Sequence, residues 1–161
     1  MVSERARAMT DIRSESDGQC GAADKDTAHA ADAAALRLVR DRIGEPIVLY
    51  RFGSSVAGAL RAESDIDYAV LAARPLEAVE RFDLQEDVAR ALRRSVDLVD
   101  LRRASTVLRM QVVASGVAVA VGDAAERERF EILVYASYAR LNEERRAILE
   151  QIAEERTVYG R

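Results

Sequence analysis

The sequence holds a single cysteine, Cys20, and a single histidine, His29, in 161 residues. A lone cysteine excludes an internal disulfide and a multi-cysteine zinc site. His29 precedes the patterned part of the chain, which removes Ser-His-Asp and Cys-His catalysis. Aromatic residues make up only 5% and tryptophan is absent, so Leu, Val, Ile and Ala must fill a core drawn from 49% apolar residues. There is no basic excess: 24 basic against 28 acidic residues leave a net charge of -4, which argues against a nucleic-acid binder. Lys25 is the only lysine, a skew that reads as codon bias rather than function. Neither a signal-peptide pattern nor a long apolar run is seen, so a cytoplasmic protein without a membrane partner is expected. Chemistry is left to carboxylates, hydroxyls, arginines and backbone amides.

Residues 1–26 are rich in Ser, Asp, Glu, Gly and Arg and lack aromatics, which predicts a flexible N-terminal tail. The ordered domain is expected over 27–161. An alanine-rich helix runs from Thr27 to near Gly44, and Pro46 restarts the chain as the strand Ile47–Phe52. A short helix over Val56–Leu60 follows, then a strand over Asp65–Leu71. Next comes a helix after Pro75 carrying Leu84, Val88, Ala91 and Leu92 at helical spacing. The strand Val96–Leu101, the helix Ala104–Ser115 and the strand Val117–Val121 complete the middle. From Ala124 to Arg156 the pattern is one long helix or a bent pair. Its apolar stripe runs Phe130, Leu133, Val134, Leu141, Ile148, Ile152, with Tyr135 and Tyr138 as packing residues. Helices alternate with strands throughout, which makes one α/β domain.

The segment from Gly53 to Asp67 carries the chemistry. A glycine after an apolar strand lets another group approach the backbone closely. Ser54 opens a helix, where free amides and a hydroxyl together suit phosphate oxygens. Asp65 and Asp67 share one face of a strand, roughly 6.5 Å apart at about 3.3 Å per residue. Asp97 is a third acid in an otherwise apolar strand. Should that strand lie beside the Asp65–Asp67 strand, three carboxylates converge, a hard oxygen-donor set that suits Mg²⁺ and two-metal phosphoryl chemistry. Alternation places Asp100 on the opposite face from Asp97, as a strand-end or packing acid.

Gly53-Ser54, ten intervening residues, Asp65-Ile66-Asp67 and the later Asp97 resemble the nucleotidyltransferase signature of the DNA polymerase β-like superfamily. Within it, Tyr50-Arg51-Phe52-Gly53-Ser54, Ser64-Asp65-Ile66-Asp67, Val96–Leu101 and Val158-Tyr159-Gly160 resemble the minimal nucleotidyltransferases of the MntA antitoxin type, encoded beside HEPT-domain toxins. The resemblance implies a polymerase β-like fold: a small mixed sheet of about four strands flanked by helices, with a long C-terminal helix. It implies an ATP- and Mg²⁺-dependent protein adenylyltransferase that neutralises a HEPT-domain RNase toxin by transferring AMP to a tyrosine. Asp65, Asp67 and Asp97 would then be the catalytic and metal-binding residues for two Mg²⁺ ions, and Gly53 and Ser54 would bind the β and γ phosphates. Many members carry Arg between the motif glycines, where this chain has Ser55-Val56-Ala57 before Gly58. That departure leaves the metals, together with Arg61 or Arg51, to meet phosphate charge. The alternatives are a small-molecule nucleotidyltransferase acting on an aminoglycoside-like acceptor, and a binding antitoxin without catalysis.

Overall fold

A computed structural model describes the backbone of residues 16–53, 56 and 65–159 and, within these, the side chains of 26–53, 56 and 65–152. Among the described residues the main elements follow one another as α1 (Ser16–Ile43), β1 (Val48–Phe52), β2 (Ile66–Leu71), α2 (Ala78–Leu92), β3 (Val96–Asp100), α3 (Thr106–Ser115), β4 (Val117–Val121) and α4 (Ala124–Tyr159). The strands form one mixed sheet in the order β3-β2-β1-β4. β1 pairs antiparallel with both β2 and β4, whereas β2 and β3 run parallel. The parallel pair requires a crossover, and α2 supplies it.

Strand alternation sorts side chains onto two covered faces. Leu49, Ile66, Tyr68, Val70, Val96 and Leu98 pack with Ala35 and Val39 of α1 and Leu84 and Val88 of α2. Val48, Tyr50, Phe52, Ala69 and Leu71 pack on the other face with Val112 of α3 and Phe130 of α4. The outer edge of β3 is closed by α2, since Leu98 donates its N–H to Gln85 Oε1 at 3.1 Å and Arg81 donates to the Leu98 carbonyl at 2.8 Å. Covering a strand edge in this way removes a template for unwanted pairing.

Two expectations are corrected. The first helix begins at Ser16 rather than Thr27, so residues 16–26 are helical. The stretch has no proline to break a helix, although Gly18 and Gly21 are weak helix formers. The expected tail residues 1–15 lie outside the described residues. The second correction concerns the apolar stripe of α4, which is the expected long C-terminal helix, unbroken over 36 residues. At 1.5 Å per residue it is about 54 Å long and outruns the small sheet. Val134 is buried, but Leu133, Tyr135, Leu141, Ile148 and Ile152 are exposed. The apolar stripe is therefore used only along the helix's first turns. Among the described residues no helix is long and apolar enough to cross a membrane.

Candidate active site

β1 ends at Phe52, which pairs with Asp67, and Asp67 pairs in turn with Asp97 of β3. One rung of the sheet thus carries Phe52, Asp67 and Asp97 side by side. Asp67 and Asp97 lie on the α3–α4 face by alternation, and Asp65 lies two residues before Asp67 on the exposed lead-in to β2. The parallel neighbour that the sequence reading required is therefore present. The Asp67 carboxyl is pushed above the ordinary carboxylate range, first by burial and then by the charges of Asp97 and Asp65. The three carboxylates share one electrostatic environment, although among the described residues no three acidic, His or Cys side chains close around a single point.

Gly53 sets the other wall. Its φ is +73°, in the left-handed region where a Cβ is penalised. A Cβ there would also stand 2.2 Å from Asp67 Oδ2. Only a residue without a side chain lets this turn come so close to the carboxylate. Val56 donates its N–H back to the Gly53 carbonyl at 3.2 Å. Ser54, Ser55, Gly58, Arg61 and the rest of the expected Val56–Leu60 helix beyond Val56 lie outside the described residues.

Asp100 takes the opposite role from Asp97. It is 3% exposed, faces α2, and accepts hydrogen bonds from the Leu76 and Arg102 amides, each at 2.9 Å. Arg51 is also turned away from the acids. Its guanidinium is paired with Asp32 of α1 on the α1–α2 face. Position 51 has the opposite strand parity to the site, and the sequence pattern contained that information.

Residues 39–125 match the family described as polymerase beta, nucleotidyltransferase, and this span contains Gly53, Asp65, Asp67 and Asp97. The chain belongs to the polymerase beta nucleotidyltransferase family. Over 117 residues it is 42% identical to protein adenylyltransferase MntA of Shewanella oneidensis, an alignment covering 73% of this chain and 84% of that protein. The crystal structure of a toxin-antitoxin with AMP-PNP superimposes with a TM-score of 0.68 at 39% identity, covering 76% of this chain and 98% of that one. A structure of tri-AMPylated Shewanella oneidensis HEPN toxin in complex with MNT antitoxin superimposes with a TM-score of 0.65 at 37% identity, covering 77% and 97%.

Two supports of this nucleotidyltransferase site were missed in the sequence. On the α3–α4 face, the Tyr50 hydroxyl donates to Glu131 Oε1 at 2.5 Å, and Arg127 of α4 donates to both Tyr50 and Glu131. The Glu131 carboxyl is lowered overall: burial opposes its charge, but Tyr50 and Arg127 outweigh it. On the α1–α2 face, Asp32 accepts from Arg51 and from the Tyr68 hydroxyl. A signal for Asp32 existed, since it interrupts the helical stripe of Ala28, Ala35 and Val39 with a carboxylate. Glu131 offered a similar signal, since it places a carboxylate inside the apolar run Phe130, Ile132, Leu133, Val134.

Proposed function

We propose that this nucleotidyltransferase is an antitoxin that transfers AMP from ATP to a tyrosine of a cognate HEPT-domain RNase toxin, with two Mg²⁺ ions, in the cytoplasm. The observation that carries the reading is the rung joining Asp67 to Asp97, with Gly53 pressed against the Asp67 carboxylate. Likeness to a protein adenylyltransferase and to complexes with AMP-PNP and with a tri-AMPylated toxin supports the donor and the acceptor class.

Asp65, Asp67 and Asp97 present hard oxygen donors, and the raised Asp67 carboxyl marks a negative field that a cation would relieve. They are the residues that would hold Mg²⁺, which neutralises triphosphate charge and polarises the reacting phosphoryl group. Gly53 leaves the backbone open to the β and γ phosphates, and Ser54, next in the sequence, is the second phosphate-binding residue of this reading. Asp97, on the outer strand of the rung, receives the proton of the incoming tyrosine hydroxyl. The phenolic oxygen bonds to the α-phosphorus as the bond to the bridging oxygen breaks, and pyrophosphate leaves. AMP on the toxin adds bulk and negative charge, which obstruct an RNA-binding surface by occlusion and repulsion.

Intact-mass spectrometry of the toxin, before and after incubation with this protein, ATP and Mg²⁺, tests the proposal. Mass gains of whole AMP units that are absent with the Asp67→Ala variant are expected. An unmodified toxin that regains activity once the proteins are separated would overturn it.

A further inference from the structure

We infer that Asp32 is a positioning residue: from α1 it fixes the strand ends that carry Gly53 and Asp67. Arg51 and Tyr68 are cross-strand partners on β1 and β2, one rung from the Phe52–Asp67 pair. Both reach the same carboxylate, Arg51 through Nε at 3.1 and 3.3 Å and Tyr68 through its hydroxyl at 2.9 Å. The Arg51 and Asp32 side chains are only 12% and 14% exposed, so water replaces these bonds poorly. Burial, then Asp32 itself, holds the Tyr68 hydroxyl above its ordinary range, and it remains a donor at working pH.

The placement matters because tolerance at the next rung is small. The Gly53 backbone lies so near Asp67 that one added carbon would meet Oδ2 at 2.2 Å. A shift of β1 against β2 therefore changes the approach of the turn to the carboxylate directly. Asp32 joins the two strands across this point from one face, opposite the Tyr50–Glu131 bond on the other. It touches neither nucleotide nor metal in this scheme and acts through the backbone it aligns. Its effect on ATP rests on the nucleotidyl-transfer reading; its effect on the rung does not.

Amide hydrogen exchange and calorimetry on the full chain test this. Asp32→Asn keeps the side chain's shape and an acceptor for Tyr68 but removes the charge paired with Arg51. Protection at Phe52, Asp67 and Tyr68 is expected to fall roughly 10-fold while the reference amides of β4 hold, a local opening rather than a global one. Affinity for ATP with Mg²⁺ is expected to fall by about 10-fold or more, since small misplacements of binding groups are costly. In Asp32→Leu/Arg51→Leu/Tyr68→Phe these three hydrogen-bonded groups are removed together, so melting temperature recovers. Exchange at the rung and ATP affinity stay impaired if Asp32 positions, and recover with stability if it only stabilises. Recovery, or an equal loss of protection in every strand of the Asp32→Asn variant, overturns the inference. Should the unaltered protein fail to bind ATP with Mg²⁺, the proposed function falls, and the exchange measurement still decides the role of Asp32.

Discussion

Asp97 and Asp100 stand three residues apart on one short strand, yet the two faces of β3 treat them oppositely. Asp100 points into the α1–α2 side, is buried, and is satisfied by two backbone amides. Asp97 points to the other side, is exposed, and adds its charge to the field at Asp67. A carboxylate surrounded by donors is a structural joint. One surrounded by other carboxylates weighs against folding and is kept for what it can hold. The same residue type thus becomes framework or chemistry according to strand parity.

Substitution at these two positions is the strongest way to break the contrast. Asp97→Ala is expected to reduce AMP transfer more than ~1,000-fold, about 4 kcal/mol in the barrier, with stability unchanged or slightly raised. Asp100→Ala is expected to do the reverse. It strands one buried and one part-buried N–H group and costs about 3 kcal/mol, read as a lower urea midpoint, while the protein that remains folded still transfers AMP. An Asp100 variant that folds normally but is inactive would reassign the third ligand.

Gly53→Ala sharpens the site side of the comparison. The left-handed backbone alone costs about 1–2 kcal/mol, and the new methyl must displace the Asp67 carboxylate. A lower melting temperature together with loss of ATP binding in calorimetry is expected. Unchanged ATP binding would show that the close approach is incidental.

A pH titration separates the two faces more gently. The Asp67 carboxyl lies above its ordinary value when folded, so the folded state holds that proton more tightly than the unfolded chain. Its favourable contribution is complete below the unfolded carboxylate range and is lost as pH rises through the raised value. Asp67→Asn should therefore raise the melting temperature near neutral pH, and the gain should vanish in acid. A gain that persists in acid would trace to something other than charge.

The smallest effect is expected far from the sheet. Arg140 and Glu144 form an i,i+4 pair at 2.9 Å on the exposed part of α4, with side chains 81% and 57% exposed. Arg140→Gln should change stability by no more than about 0.5 kcal/mol by chemical denaturation. A larger loss would mean that this half of the helix is more than a solvated extension.

Element order and the acids' shared face were legible because both follow from short periods. Short apolar runs marked β1 to β4, and strand parity put Asp65 with Asp67 and Asp100 apart from Asp97, although bringing Asp97 to the other two needed β3 beside β2. Those periods are local, set by backbone geometry at each residue, and they need no knowledge of the partner strand. What covers each face was not legible in this way. That Asp32 would meet Arg51 and Tyr68, that Gly53 would press on Asp67, and that the stripe on α4 would outrun its sheet depend on which distant segments meet and at what offset. The sequence by itself determined the residues able to do the chemistry and the side of the sheet they occupy. Only the tertiary structure decided how closely they are held, because register between strands and helices is fixed by packing summed over the whole core rather than by any one residue's preference.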